Sequence, residues 1–107
     1  MKKMLCISLL AVTLIAPVSY ADDSVCSSIA NLANMVMTNR QAGVPLTKMI
    51  ELTEAGAKKE VQKFIKRIII RAYDHPRYYG ATWQHRVIID FENEIYLECI
   101  KQEVQDE

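Results

Sequence analysis

Cys26 and Cys99 carry the strongest chemistry in this chain, a pair about 73 positions apart, with neither the C-x-x-C spacing nor the close histidines that suit a redox or metal site. A third cysteine, Cys6, lies inside an N-terminal apolar run, lacks the small residues expected before a lipid-modified cysteine, and is given no role. Once that run is removed by processing, two cysteines remain, and an oxidising compartment would join them in a single disulfide. Loop entropy sets the upper contribution of such a crosslink at roughly 4 to 5 kcal/mol. That is a large term for a small domain with a modest core.

Other reactive combinations are weaker. Histidine occurs only at His75 and His85, and Asp74, His75, His85 and Asp90 follow no compact ligand pattern, so neither a metal nor another cofactor is expected. No glycine-rich phosphate loop, H-E-x-x-H or G-x-S-x-G element is present. Glu94 and Glu98 stand one helical turn apart, as an acid pair for glycoside hydrolysis could, but an acidic solvent-facing helix supplies such pairs by composition alone. The expectation is a protein that is not an enzyme, with a small hydrolase the least favoured reading.

Recognition chemistry concentrates between Tyr73 and Arg86. Tyr73, Tyr78, Tyr79 and Trp83 are interleaved with His75, Arg77, His85 and Arg86, residue types that combine large buriable area with polar tips and dominate binding hot spots. Tyr73 and Trp83 are expected to pack a corner between two helices, with Pro76 setting the turn. His75, Arg77, Tyr78, Tyr79, Trp83 and Arg86 form the candidate partner-binding set, with Arg77, Tyr78 and Tyr79 its most exposed members. The same residue types stack on nucleic acid, a partner that export argues against. Arg40-Gln41, just before Gly43, reads as an ordinary polar helix end, where a cation complements the dipole.

The elements that must position these groups begin after a leader. Residues 1–21 read as a signal peptide: Lys2 and Lys3, the apolar run Met4 to Val18, then Ser19-Tyr20-Ala21, with cleavage predicted after Ala21. The apolar run is about 15 residues, short of the roughly 20 that span a bilayer, and no second run follows. A periplasmic or secreted product without a transmembrane segment is expected. Residues 22–107 then form one helical domain. The whole chain is formally neutral, with 13 Lys/Arg against 13 Asp/Glu, and loss of Lys2 and Lys3 leaves it slightly acidic.

Every long segment of that domain has helical periodicity, which predicts an all-α fold, a small bundle of three to four helices with its first and last helices linked by the disulfide. The first helix should start at the N-cap Ser24, assisted by Asp22 and Asp23, and bury Cys26, Ile29, Ala30, Ala33, Val36 and Met37 before Gly43 and Pro45 stop it. A short helix from Leu46 to Thr53 follows, broken by Gly56. The third, from about Ala57 to Tyr73, presents Val61, Phe64, Ile65, Ile68, Ile69 and Ala72 as a wide apolar face and ends before Pro76. Thr82 is the predicted N-cap of a last helix reaching about Gln102, with Ile88, Phe91, Ile95 and Cys99 facing inward.

Charge divides along the same lines. Residues 57–86 carry about +6 and residues 90–107 about −6, which suits pairing of the third helix with the fourth. Lys59, Lys63, Lys66 and Arg67 form a candidate basic face for an anionic partner.

The chain resembles a group of small exported proteins of Gram-negative bacteria and some of their phages. The likeness lies in Cys26 followed by Ile29-Ala30 and Ala33, in Met37-x-x-Arg40-Gln41-x-Gly43, in Ala72-Tyr73-x-x-Pro76, and in Phe91-x-Asn93 with Cys99. It covers residues 24–101 and implies a signal peptide and a one-disulfide helical domain, with nothing catalytic. Acid-activated periplasmic chaperones and phage-encoded lysozyme inhibitors share the general plan without the motif, an analogy of architecture only. The expected function is a protein-interaction module of the cell envelope, an inhibitor or accessory factor, with an acid- or stress-activated chaperone as the alternative. A protein partner in the envelope is expected, and the oligomeric state is left open.

Overall fold

The computed structural model describes residues 25–55 and 57–106, and these contain four helices and no strand. In chain order they are α1 (residues 25–41), α2 (Leu46–Glu54), α3 (Lys59–Asp74) and α4 (Ala81–Asp106). The leader, the Ser24 cap and its neighbours Asp22 and Asp23 lie outside the described residues.

Local chemistry explains most of the boundaries. α1 ends in a Schellman motif: the Val44 N–H donates to the Asn39 carbonyl and the Gly43 N–H to the Arg40 carbonyl, with Gly43 at φ +91° supplying the left-handed residue the motif requires. Pro45 opens α2, where its missing N–H costs nothing. α3 has Glu60 in its first turn and Arg71 in its last, both favourable to the helix dipole. α4 starts one residue earlier than Thr82, because Gly80 at φ +91° turns the chain and its carbonyl accepts the first helical bond, from the Gln84 N–H. The Gln84 side chain also donates back to the Tyr78 carbonyl at 2.7 Å.

Side-chain contacts fix the topology. Cys26 is joined to Cys99, with Cα atoms 5.6 Å apart, and eight residues further along α1 the Asn34 amide donates to Glu92 at 2.6 Å. α1 ascends while α4 descends, so the first and last helices are antiparallel and stapled. Arg71 of α3 reaches Glu94 and Glu98 of α4 at 2.8 and 2.6 Å, the expected charge pairing of the third and fourth helices. α2 returns the chain from the end of α1 to the start of α3.

The core is one cluster in which Ala33, Val36 and Met37 of α1 meet Met49 of α2, Ile68, Ile69 and Ala72 of α3, and Val87, Phe91 and Ile95 of α4. Two expectations need correction. Val61 and Phe64, at the start of the α3 stripe, are 46% and 37% exposed, because they border an open cleft against Val25, Ile29 and Leu32 of α1 rather than the sealed core. Trp83 does not pack the corner: it is 57% exposed, and Val87, one turn on, takes the inward position.

Candidate functional site

The end of the bundle where α1 stops is built around Gln41. It continues the inward column of Cys26, Ala30, Ala33 and Met37, and at 2% exposure it is the buried polar residue of the core. Burying an amide is unfavourable unless its hydrogen bonds are met, and the segment after α3 meets them. Gln41 Nε2 donates to the Pro76 carbonyl at 3.0 Å, Gln41 Oε1 accepts from the Tyr78 N–H at 2.8 Å, and Arg77 Nε donates to the Gln41 carbonyl at 3.0 Å. Arg40 Nε donates to the His75 carbonyl at 3.1 Å. One helix end thus holds four consecutive residues, His75 to Tyr78.

Neighbouring groups tighten the clasp. The Tyr73 hydroxyl donates to the Val44 carbonyl, and the Arg40 guanidinium lies 5.1 Å from the Tyr73 ring centroid. Burial pushes the Tyr73 phenol above its ordinary pKa, and the Arg40 charge opposes that shift. The Arg77 guanidinium rests on Gly43, where a β-carbon would lie only 3.0 Å from it. The His75 ring meets Phe91 edge-on at 5.7 Å. Arg40 and Gln41 are therefore not an ordinary helix terminus. They join the two halves of the bundle, and Met37, Gly43, Tyr73 and Phe91 make their contacts at the same place.

Outside the clasp lies a groove of about 320 Å³ lined by His75, Tyr78, Trp83, Arg86, Val87, Asp90, Phe91 and Glu94. The Arg86 guanidinium covers the Trp83 ring at 5.1 Å, Tyr78 forms part of the wall, and Tyr79 projects beside it at 93% exposure. Of the candidate partner-binding residues, His75, Tyr78, Trp83 and Arg86 line the groove. Tyr79 stands free of it, and Arg77 turns its charge inward onto Gly43 and Gln41.

The remaining candidates are placed elsewhere. Lys59, Lys63 and Arg67 of α3 are exposed and Lys66 is partly covered, with Arg67 bordering the groove between α3 and α4 beside Ile68 and Arg71. Glu94 and Glu98 both accept from Arg71, so neither is an isolated acid. The hydrogen bond from Arg71 holds the Glu98 carboxyl below its ordinary pKa, and Glu98 raises that of Arg71. Asp74, His75, His85 and Asp90 do not gather. Among the described residues the one close grouping of metal-ligating types is Cys26, Cys99 and Glu103, where both sulfurs are spent in the disulfide and a Glu103 oxygen lies 3.3 Å from Cys26 Sγ. No helix of the described residues is long and apolar enough to cross a membrane.

No family model, curated protein or solved structure matches this chain.

The signal that could have identified Gln41 was in the sequence. Four residues after Met37, it falls on the inward stripe, and a polar residue at an inward position demands a buried partner. What periodicity does not supply is the partner's address, a loop 35 to 37 residues away.

Proposed function

We propose that this chain is an exported protein-interaction module of the cell envelope, an inhibitor or accessory factor rather than a catalyst, and that it binds a protein partner at the groove of Tyr78, Trp83 and Arg86, with Tyr79 at its edge. The observation that carries the reading is the clasp. Aromatic side chains exposed on a segment already held by several hydrogen bonds lose little conformational entropy on binding, which is how large apolar contacts become hot spots.

The test is capture from envelope extracts by the oxidised protein, comparing the wild type with Tyr79→Ala, Trp83→Ala and Arg86→Glu. Loss of a captured partner in the variants, with melting temperatures close to wild type, supports the reading. Equal capture by all of them overturns it.

One observation favours a second reading, an acid-activated chaperone. Arg71 and Glu98 stand at the edge of a groove of about 420 Å³ whose apolar lining includes Ile29, Phe64, Ile68 and Ile95, and Glu94 pairs with the same arginine. Protonation of those acids would release Arg71 and widen that surface. Dye binding that stays constant from pH 7 to about pH 2, with no suppression of client aggregation, removes this reading.

A further inference from the structure

α4 is apolar on two sides. Val87, Phe91 and Ile95 face the core, while Ile89, Tyr96, Leu97 and Val104 lie on the outside, each between 36% and 66% exposed, with Ile100 in the same column and partly covered. Positions 89, 93, 96, 100 and 104 follow steps of three and four, so they form one outer stripe about 23 Å long. Asn93 and Tyr96 border a cleft with Ser27, Ala30 and Asn31 of α1, and among the described residues no helix covers Ile89, Leu97 or Val104. Single exposed apolar residues need no explanation, but several along one stripe, interrupted at Asn93, form a candidate contact surface.

We propose that this outer face of α4 is a self-association surface, on which a second copy of the chain lays its own α4 in antiparallel register. Charge selects this occupant. Asp90 and Lys101 sit on the same flank of the stripe, eleven residues or about three turns apart, which is too far for them to pair within one helix. A two-fold axis near Tyr96 brings Asp90 of each copy to Lys101 of the other, so one complementary pair forms twice, as an isologous interface requires. Asn93 falls on the seam, where one polar residue fixes register at some cost in affinity. A single helix face is at the small end of specific interfaces, which points to association in the micromolar range. The inference does not depend on the corner groove being a binding site.

Sedimentation velocity on the exported, oxidised protein, over a concentration series spanning about a hundredfold either side of 10 µM, reads the outcome directly. The expected result is a concentration-dependent shift from the mass of one chain to that of two. Leu97→Glu and Asp90→Lys should each raise the dissociation constant at least about tenfold with circular dichroism and melting temperature unchanged, since both residues point outward. Combining Asp90→Lys with Lys101→Asp should restore association. A single-chain mass at every concentration overturns the proposal, as does a dimer indifferent to Leu97→Glu or a charge swap that restores nothing. A wild-type chain that stays monomeric but binds anionic lipid vesicles through Leu97 also overturns it, assigning the face to a membrane surface.

Discussion

Replacing Gln41 tests the clasp most directly, because the structure assigns that side chain three separable contributions. Its amide donates to the Pro76 carbonyl and accepts from the Tyr78 N–H, and its methylenes pack beside Met37, with Nε2 3.6 Å from the sulfur. Each hydrogen bond is worth about 1 kcal/mol net. Water can reach the loop side of both partners, so the larger penalty for a sealed, unsatisfied group does not apply. Gln41→Met keeps the volume and removes the bonds, for a loss of about 2 kcal/mol. Gln41→Ala adds the lost burial and a small cavity, for a loss of about 3 to 4 kcal/mol. Gln41→Glu keeps an acceptor for the Tyr78 N–H but sets a carboxylate against the Pro76 carbonyl. Burial and that carbonyl raise the folded-state pKa of the introduced acid above its unfolded value near 4.3. The deficit of this variant is therefore full above the folded pKa and recovers as pH falls through it. Urea unfolding of the oxidised protein, followed by circular dichroism and by Trp83 fluorescence, gives the losses, and hydrogen exchange at the Tyr78 amide gives the local effect. A Gln41→Ala loss below about 0.5 kcal/mol, the range of ordinary surface substitutions, or an unchanged Tyr78 exchange rate would refute the reasoning.

Three other perturbations discriminate among the contacts. Gly43→Ala should cost more than Gly80→Ala, although both glycines sit at φ +91°, because a methyl at 43 must also displace the Arg77 guanidinium while the space at 80 is open; the left-handed conformation alone accounts for about 1 to 2 kcal/mol at either site, and paired urea melts measure the difference. Glu98→Gln should lower stability by no more than about 0.5 kcal/mol near neutral pH, since the pair with Arg71 is largely solvated. The Glu98 pKa is depressed in the fold, so its contribution is present above the unfolded value and fades as pH falls through the folded one; the melting-temperature gap between wild type and variant should be constant above about pH 5 and close below it. Replacing Cys26 and Cys99 together by serine should remove up to about 4 kcal/mol, chiefly by freeing the unfolded chain, and should increase the denaturant m-value.

The sequence made the helices legible because their signals are local. Gly43 and Pro45 end α1 through a motif that requires only a left-handed residue and a following break, and the α3 stripe is a matter of spacing. The disulfide was legible because the sequence holds two cysteines outside its N-terminal apolar run, both on inward columns. Trp83 was misplaced for a physical reason: Val87, one turn further along, gives α4 an inward residue at the corner, so burial of the indole is not required there. Periodicity assigns a residue to a face but not to a neighbour. For Gln41 that distinction is decisive, since an inward amide is destabilising until the segment from His75 to Tyr78 supplies its partners. Gln41, buried, and the exposed aromatic residues are connected through that segment. Without the bonds to Pro76 and Tyr78, the loop would present Tyr78 and Tyr79 from many conformations, and each would lose conformational entropy on binding that the clasp has already removed. A Gln41→Met variant that remains folded should therefore bind a groove partner more weakly although no residue of the groove has changed, with the loss appearing in binding entropy. If its affinity and entropy match the wild type, the clasp supports the fold alone.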